Sequence, residues 1–281
     1  MYNYHTHTQF CDGSSQPVRY VEEALRQKMQ VLGFSAHAPL SFENEWSLKK
    51  ADISKYVAEI ERLKTSYKGQ ICILNGLEAD YIPGITQKFD TLRKKFRLDY
   101  IIGSVHLVKA PEGDALWFID GAVHNFDNGL AEIFNHNIRR AVTAYYKQIQ
   151  EMIVTQKPDI IGHIDKIKMN NKGRFFSEDE GWYEQIVTDT LYVASRYNCL
   201  LELNTRGVYT GKTDTFFPSP FVLERCLSLG IKVMVNSDAH RPEQLTLKFK
   251  NAFDLLKSTG FKNVSILDEM GRKEIPLTAF C

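Results

Sequence analysis

Histidine and carboxylate residues recur at the ends of short apolar runs along the whole chain. The first run carries His5 and His7, with Asp12 close behind, and the last leads into Asp238 and His240. Between them His37, Glu78, His106 and His163 each close a run of their own. Imidazole and carboxylate groups are preferred ligands of transition metals. One or two of them at the tip of nearly every strand is the pattern of a polynuclear metal site. Six of the eight histidines fall at such ends, and core packing gives no reason for that placement. His124 and His136 do not fit, because the first falls in a loop-like stretch and the second inside an expected helix; both are read as non-ligands. Taken singly, each residue has a plain structural role. His37 or His163 could be core residues, Glu78 a helix cap, and Asp12 and Asp238 turn residues. Only the joint pattern points to metal.

The elements that must position these residues alternate strictly. Apolar, β-rich runs cover residues 2–7, 31–37, 71–79, 100–106, 160–164, 200–204 and 232–236. Near-continuous apolar runs of this length suit strands buried on both faces, as in a parallel sheet. Helical spacing covers 18–29, 51–67, 85–96, 132–156, 178–197, 219–229 and 242–258. Seven strand–helix units argue for an α/β fold, a distorted (β/α)7 barrel of the TIM-like kind. An open doubly wound sheet is the competitor, but no glycine-rich phosphate turn follows the first strand. In a closed barrel the first and last strands are neighbours. Strand alternation puts His5 and His7 on one face, and Asp238 and His240 likewise, so the two pairs would meet. A loop-like insertion over residues 107–130 reads as a lid or pocket wall, and residues 263–276 as a small β appendage. One domain over residues 1–281 is expected.

Composition excludes several classes. The chain has 281 residues, net charge +1, 43% hydrophobic and 25% charged residues, an ordinary globular profile. Near-zero net charge gives no general pull toward nucleic acid or anionic membrane. No apolar segment approaches the roughly 20 residues that span a bilayer. Five cysteines, none in a CxxC pair, suit a reducing cytoplasm, and His5 and His7 come too early for a removable leader. Oligomeric state is not readable.

The motifs Tyr4-His5-Thr6-His7 with Asp12-Gly13, Ser35-Ala36-His37-Ala38-Pro39, Gly76-Leu77-Glu78-Ala79-Asp80-Tyr81, Gly103-Ser104-Val105-His106, Ile161-Gly162-His163-Ile164-Asp165 and Asn236-Ser237-Asp238-Ala239-His240 carry a resemblance. In this order they resemble the polymerase-and-histidinol-phosphatase (PHP) family, and more narrowly its histidinol-phosphate phosphatase branch. The resemblance implies a distorted seven-stranded barrel and a trinuclear centre of divalent zinc, iron or manganese. It implies hydrolysis of a small phosphate monoester, L-histidinol phosphate in histidine biosynthesis. It places one metal on His5, His7, Glu78 and Asp238, a second on Glu78, His106 and His163 with Glu78 bridging, and a third on Asp12, His37 and His240. The expected step is attack of a metal-bridging hydroxide on phosphorus, with Glu78, Asp238 and His240 as catalytic residues. The leaving alcohol would be protonated by a metal-bound water, Asp238 or His240.

Substrate contacts are read from the ligand rim. Arg206 follows the run ending at Asn204, and a guanidinium there could grip phosphate with two parallel hydrogen bonds. Lys168 is expected as a second cation, with Arg174 as its rival, and Ser104 and Asn204 as further contacts. Asp80 or Glu202 would meet a substrate ammonium. Competing readings are a phosphoesterase acting on another small ester or on nucleic-acid ends, a metal-dependent amidohydrolase, and a protein that has kept metal but lost chemistry.

Overall fold

The computed structural model describes residues 1–280. In chain order the strands are β1 (Tyr2–Asn3), β2 (Val31–His37), β3 (Cys72–Asp80), β4 (Tyr100–Ser104), β5 (Leu107–Lys109), β6 (Leu116–Phe118), β7 (Ile160–Ile161), β8 (Leu200–Asn204), β9 (Val233–Asn236), β10 (Asn263–Asp268) and β11 (Gly271–Pro276). Seven of them make one parallel sheet in the order β1-β2-β3-β4-β7-β8-β9. The sheet closes at its ligand-bearing end through a parallel bridge between Thr6 and Ala239. There the His7 amide donates to the Ala239 carbonyl at 2.8 Å, and the Ala239 amide to the His5 carbonyl at 2.9 Å. The expected distorted barrel is therefore the observed one, nearly closed, with its first and last strands joined at that bridge.

The helices are α1 (Pro17–Arg26), α2 (Ile53–Ser66), α3 (Phe89–Phe96), α4 (Val123–Phe134), α5 (Ile138–Gln156), α6 (Lys168–Asn171), α7 (Gly181–Arg196), α8 (Arg206–Tyr209), α9 (Pro220–Ser228) and α10 (Phe249–Thr259). Two expected helices divide. The stretch 132–156 breaks at Asn135 and His136, whose φ values of 48° and 60° lie in the left-handed region. Asn137 then caps α5 by accepting the Arg140 amide at 3.0 Å. Pro242 opens a single 3-10 turn, Pro242–Gln244, and α10 begins only at Phe249. None of the helices is long and apolar enough to cross a membrane among the described residues.

Two apolar layers hold the barrel. Outside it, helix faces such as Tyr20, Val21 and Ala24 of α1 pack on the strands. Inside it, at the end opposite the ligands, Tyr4, Val31, Leu74, Tyr100, Ile102, Ile160, Leu200 and Met234 form a second cluster. Tyr100 fills that interior because two neighbouring strands carry glycine. A Cβ on Gly33 would lie 2.5 Å from its hydroxyl, and one on Gly76 2.5 Å from its Cζ. The β10–β11 hairpin closes this end by adding Ile266 to the cluster. The Tyr4 hydroxyl donates to the Leu267 carbonyl at 2.7 Å and accepts its amide at 2.8 Å.

The stretch 107–130, read as loop, is mostly regular. It forms the β5–β6 hairpin and most of α4, so His124 is helical. Trp117 is fully buried, packed on Phe126 and Phe134, and its indole donates to the Phe126 carbonyl at 2.8 Å. Its glycines and aromatics mask the short period-2 pattern of a three-residue strand.

Candidate metal centre

Strand register brings the ligands together. His37 on β2 pairs directly with Glu78 on β3. His5 and His7, two residues apart on an extended segment, both reach Glu78 Oε2, at 3.1 and 3.4 Å. The turn before α1 folds tightly on His7, and a Cβ on Gly13 would lie 2.4 Å from the His7 carbonyl carbon. That approach leaves Asp12 Oδ1 3.5 Å from His7 Nδ1, so Asp12 is both turn residue and site residue. Asp238, two residues after the end of β9, holds a left-handed backbone, φ 52°. An acidic residue tolerates this conformation, and here it sets the carboxylate 3.3 Å from His7 Nε2.

All nine residues expected as ligands converge around Glu78, Asp238 and Asp12. His163 Nε2 lies 3.0 Å and His106 Nε2 3.7 Å from Glu78 Oε1, while His37 Nδ1 lies 3.1 Å from Oε2. His240 Nε2 lies 3.0 Å from Asp12 Oδ2. Four overlapping groups have ligand atoms within 4.8 Å of one another: His7, Asp12, His37 and His240; His5, His7 and Asp238; His5, Glu78 and His163; and His37, Asp80 and His106. His5 Nε2, His7 Nε2 and His37 Nδ1 are buried without a hydrogen-bond partner, although carboxylate oxygens stand close by. Buried polar atoms are rarely left so. Unpaired imidazole nitrogens aimed at shared carboxylate oxygens are a donor set that fits divalent metal ions.

A second layer of acceptors orients these rings. Glu202 Oε1 lies 2.6 Å from His5 Nδ1, and Glu202 Oε2 accepts the His163 amide at 2.9 Å. Asp80 Oδ1 takes His106 at both its amide, 2.8 Å, and its Nδ1, 2.9 Å. Asp80 and Glu202 were expected to meet a substrate ammonium; both are engaged behind ligand rings instead. Ser104 is placed likewise, its hydroxyl donating to Glu78 Oε1 at 2.6 Å, and Asn204 donates to Glu202 Oε2 at 3.1 Å.

The charges reinforce this arrangement. Burial opposes ionisation of Glu78, but His5, His37 and His106 outweigh it and hold its carboxyl well below the usual range. Asp238 is held down in the same way, against burial, by His5 and Arg206. Burial also opposes a proton on His5, yet Glu202, Asp238 and Glu78 keep its pKa well above the ordinary value. His7, by contrast, is pushed down to about 3 by burial and by the neighbouring His240 and His37.

A cavity of about 220 Å³ opens onto this centre, lined in part by Asp12, His37, Glu78, Asp238 and His240. Arg206 lies on its wall, its Nη1 donating to the Asp238 carbonyl at 3.0 Å. Lys168 does not line it. Its Nζ is buried 2.8 Å from Asp165 Oδ2 and donates to the Phe216 carbonyl at 2.7 Å, which ties two connecting segments together. Arg174 pairs with Asp127 at 2.8 Å near the surface. The cation the sequence reading missed is Lys166, whose Nζ lines the cavity 3.2 Å from His106 Nε2 and 2.8 Å from Asp120 Oδ2. Residues 163–168 turn instead of continuing the strand, so strand alternation says nothing about which lysine faces inward. Trp46 and Phe118, stacked with centroids 5.2 Å apart, supply an apolar wall.

Residues 3–206 match the PHP domain family. A Schizosaccharomyces pombe protein called a "probable histidinol-phosphatase" is 28% identical over 282 residues, covering 94% of this chain and 89% of its own. The Bacillus subtilis histidinol-phosphatase is 29% identical over 252 residues, covering 84% of this chain and 92% of its own. The crystal structure of a Lactococcus lactis histidinol phosphate phosphatase, complexed with zinc, L-histidinol and phosphate, superposes with a TM-score of 0.68 at 21% identity. That match covers 97% of this chain and 98% of the other.

Proposed function

This chain belongs to the PHP domain family, and from that premise we propose that it is a metal-dependent phosphoesterase that hydrolyses L-histidinol phosphate to L-histidinol and phosphate. The observation that carries the reading is the convergence of nine imidazole and carboxylate side chains on one another, at the wall of a cavity that also holds Arg206 and Lys166. Relatives named histidinol-phosphatase support the choice of ester.

His5, His7, Glu78 and Asp238, then Glu78, His106 and His163, then Asp12, His37 and His240 would hold three divalent ions, of zinc, iron or manganese. Bound there, such ions supply a water of lowered pKa and neutralise phosphate oxygens. The chain's own residues do the rest. Arg206 and Lys166, both on the cavity wall, would present cationic donors to the phosphate. Trp46 and Phe118 offer a flat face to the imidazole ring. Asp238 is kept ionised, so it is not the group that donates a proton to the leaving alcohol. The β5–β6 hairpin and the turn behind it wall the cavity through Phe118, Asp120 and Gly121, the position of a lid.

The test is phosphate release from histidinol phosphate, other amino-alcohol and sugar phosphates and a nucleotide, with elemental analysis of the same protein. Preference for histidinol phosphate, with metal present, is expected; preference for the nucleotide would replace this substrate. His163→Ala and Asp238→Ala should each abolish most phosphate release in a folded protein, and full activity in either would reject the site.

A further inference from the structure

Four carboxylates line the cavity: Asp12, Glu78, Asp120 and Asp238. Three stand among the imidazoles and belong to the metal donor set. Asp120 does not, and it is the one the sequence motifs never mark. It follows β6, and its segment is fixed rather than loose. The Ile119 amide donates to the carbonyl of His106 at 3.0 Å, and the Asn170 side chain donates to the Ile119 carbonyl at 3.0 Å. Its Oδ1 accepts the Gly121 amide at 2.6 Å, while its Oδ2 faces Lys166 Nζ at 2.8 Å, with Lys212 3.9 Å from Oδ1.

The Lys166–Asp120 pair is thus an ammonium beside a carboxylate, on the cavity wall next to His106. An ester of an amino alcohol presents the complementary pair, a phosphate with an ammonium a few bonds away. Phosphate entering beside His106 competes with Asp120 for Lys166. The carboxylate so released keeps only Lys212, 3.9 Å from its Oδ1, and a substrate ammonium in the same cavity can approach it more closely. Asp80 and Glu202 are already engaged by His106 and by His5.

We propose that Asp120 determines substrate specificity: it selects phosphate esters bearing an ammonium near the ester oxygen, by exchanging its partner Lys166 for the substrate cation as the phosphate takes Lys166. This rests on the phosphatase reading above and names the residue behind its selectivity. A carboxylate that must give up its nearest cation, with Lys212 no closer than 3.9 Å, disfavours esters that bring no replacement.

The experiment compares histidinol phosphate with its deaminated analogue, 3-(imidazol-4-yl)propyl phosphate, in the wild-type and Asp120→Asn proteins, both as isolated with their metals. The kcat/KM ratio between the two esters should fall about tenfold or more in Asp120→Asn, the usual scale for a charged hydrogen bond. Inorganic phosphate, measured by calorimetry, should bind Asp120→Asn severalfold more tightly, because Asp120 no longer competes for Lys166. A purely structural role would weaken both esters and phosphate together, and that result, or an unchanged ratio, would overturn the assignment. Wild-type protein that hydrolyses neither ester would instead remove the phosphatase reading and this inference with it.

Discussion

Glu202 Oε1 lies 2.6 Å from Nδ1 of His5, on the far side of the ring from Glu78. The contact fixes which imidazole nitrogen points into the site and which tautomer it carries. A carboxylate behind a ligand histidine also raises its basicity toward a metal. Glu202 has further tasks, since Asn236 Nδ2 donates to it at 3.0 Å and the His163 amide at 2.9 Å. Glu202→Gln keeps the size and removes the charge. It is expected to lower metal affinity about 10–100-fold, measured by titration against a competing chelator. Wild-type affinity in this variant would mean that His5 is oriented by other groups.

Part of this centre was legible in the sequence because strand ends and strand parity are local properties. His37, Glu78, His106 and His163 stand at expected strand ends, and the parity of Glu202 relative to Leu201 and Leu203 already turned it to the opposite face. What it meets there was not legible, because His5 is 197 residues away and reaches it only through barrel closure. Asp120 was missed for a different reason. A lone acid after a three-residue strand leaves no periodic trace, and the hairpin that delivers it was read as loop.

Lys166 and Lys168 lie two residues apart and do opposite things. Lys168 is 5% exposed and bonded to Asp165, which is itself completely buried. Lys168→Met should leave an uncompensated buried carboxylate and cost about 3–5 kcal/mol of stability. Lys166→Met should raise KM for phosphate esters and change stability less, because Asp120 retains Lys212 nearby. Denaturant unfolding paired with steady-state kinetics separates the two. Loss of substrate affinity in a stable Lys168→Met protein would restore Lys168 to the site.

Tyr100 provides a test of the barrel interior remote from the chemistry. Its hydroxyl lies 2.5 Å from the Tyr4 carbonyl and 2.9 Å from that of Phe34, spanning the lumen. Gly76→Ala would set a methyl group 2.5 Å from Tyr100 Cζ. A closely packed ring inside a closed barrel has little room to move, so the overpacking cost of about 1–3 kcal/mol applies in full. Urea unfolding should show a lower midpoint with the same slope. An unchanged midpoint would mean that the interior yields more easily than its packing suggests.

The metal-stripped protein should lose stability in acid over a defined window. His7 is pushed down to about 3 in the folded chain, from an ordinary value of 6.5. Between those values the unfolded chain binds the extra proton, so stability rises with pH across the window and is fully present above it. Glu78 and Asp238, held below their ordinary 4.5 and 3.8, act in the same direction: their contribution is lost as pH falls below those values. His5 acts oppositely, because its raised pKa gives stability that is full below 6.5 and lost as pH climbs through the folded value. Thermal midpoints of the chelator-treated protein should therefore fall on both sides of a maximum near neutral pH. His7→Asn should flatten part of the upper acid limb, where His163, also pushed down by burial, keeps its own share, and leave the carboxylate-driven part below it. An acid limb of unchanged shape in His7→Asn would show that His7 is not the group responsible.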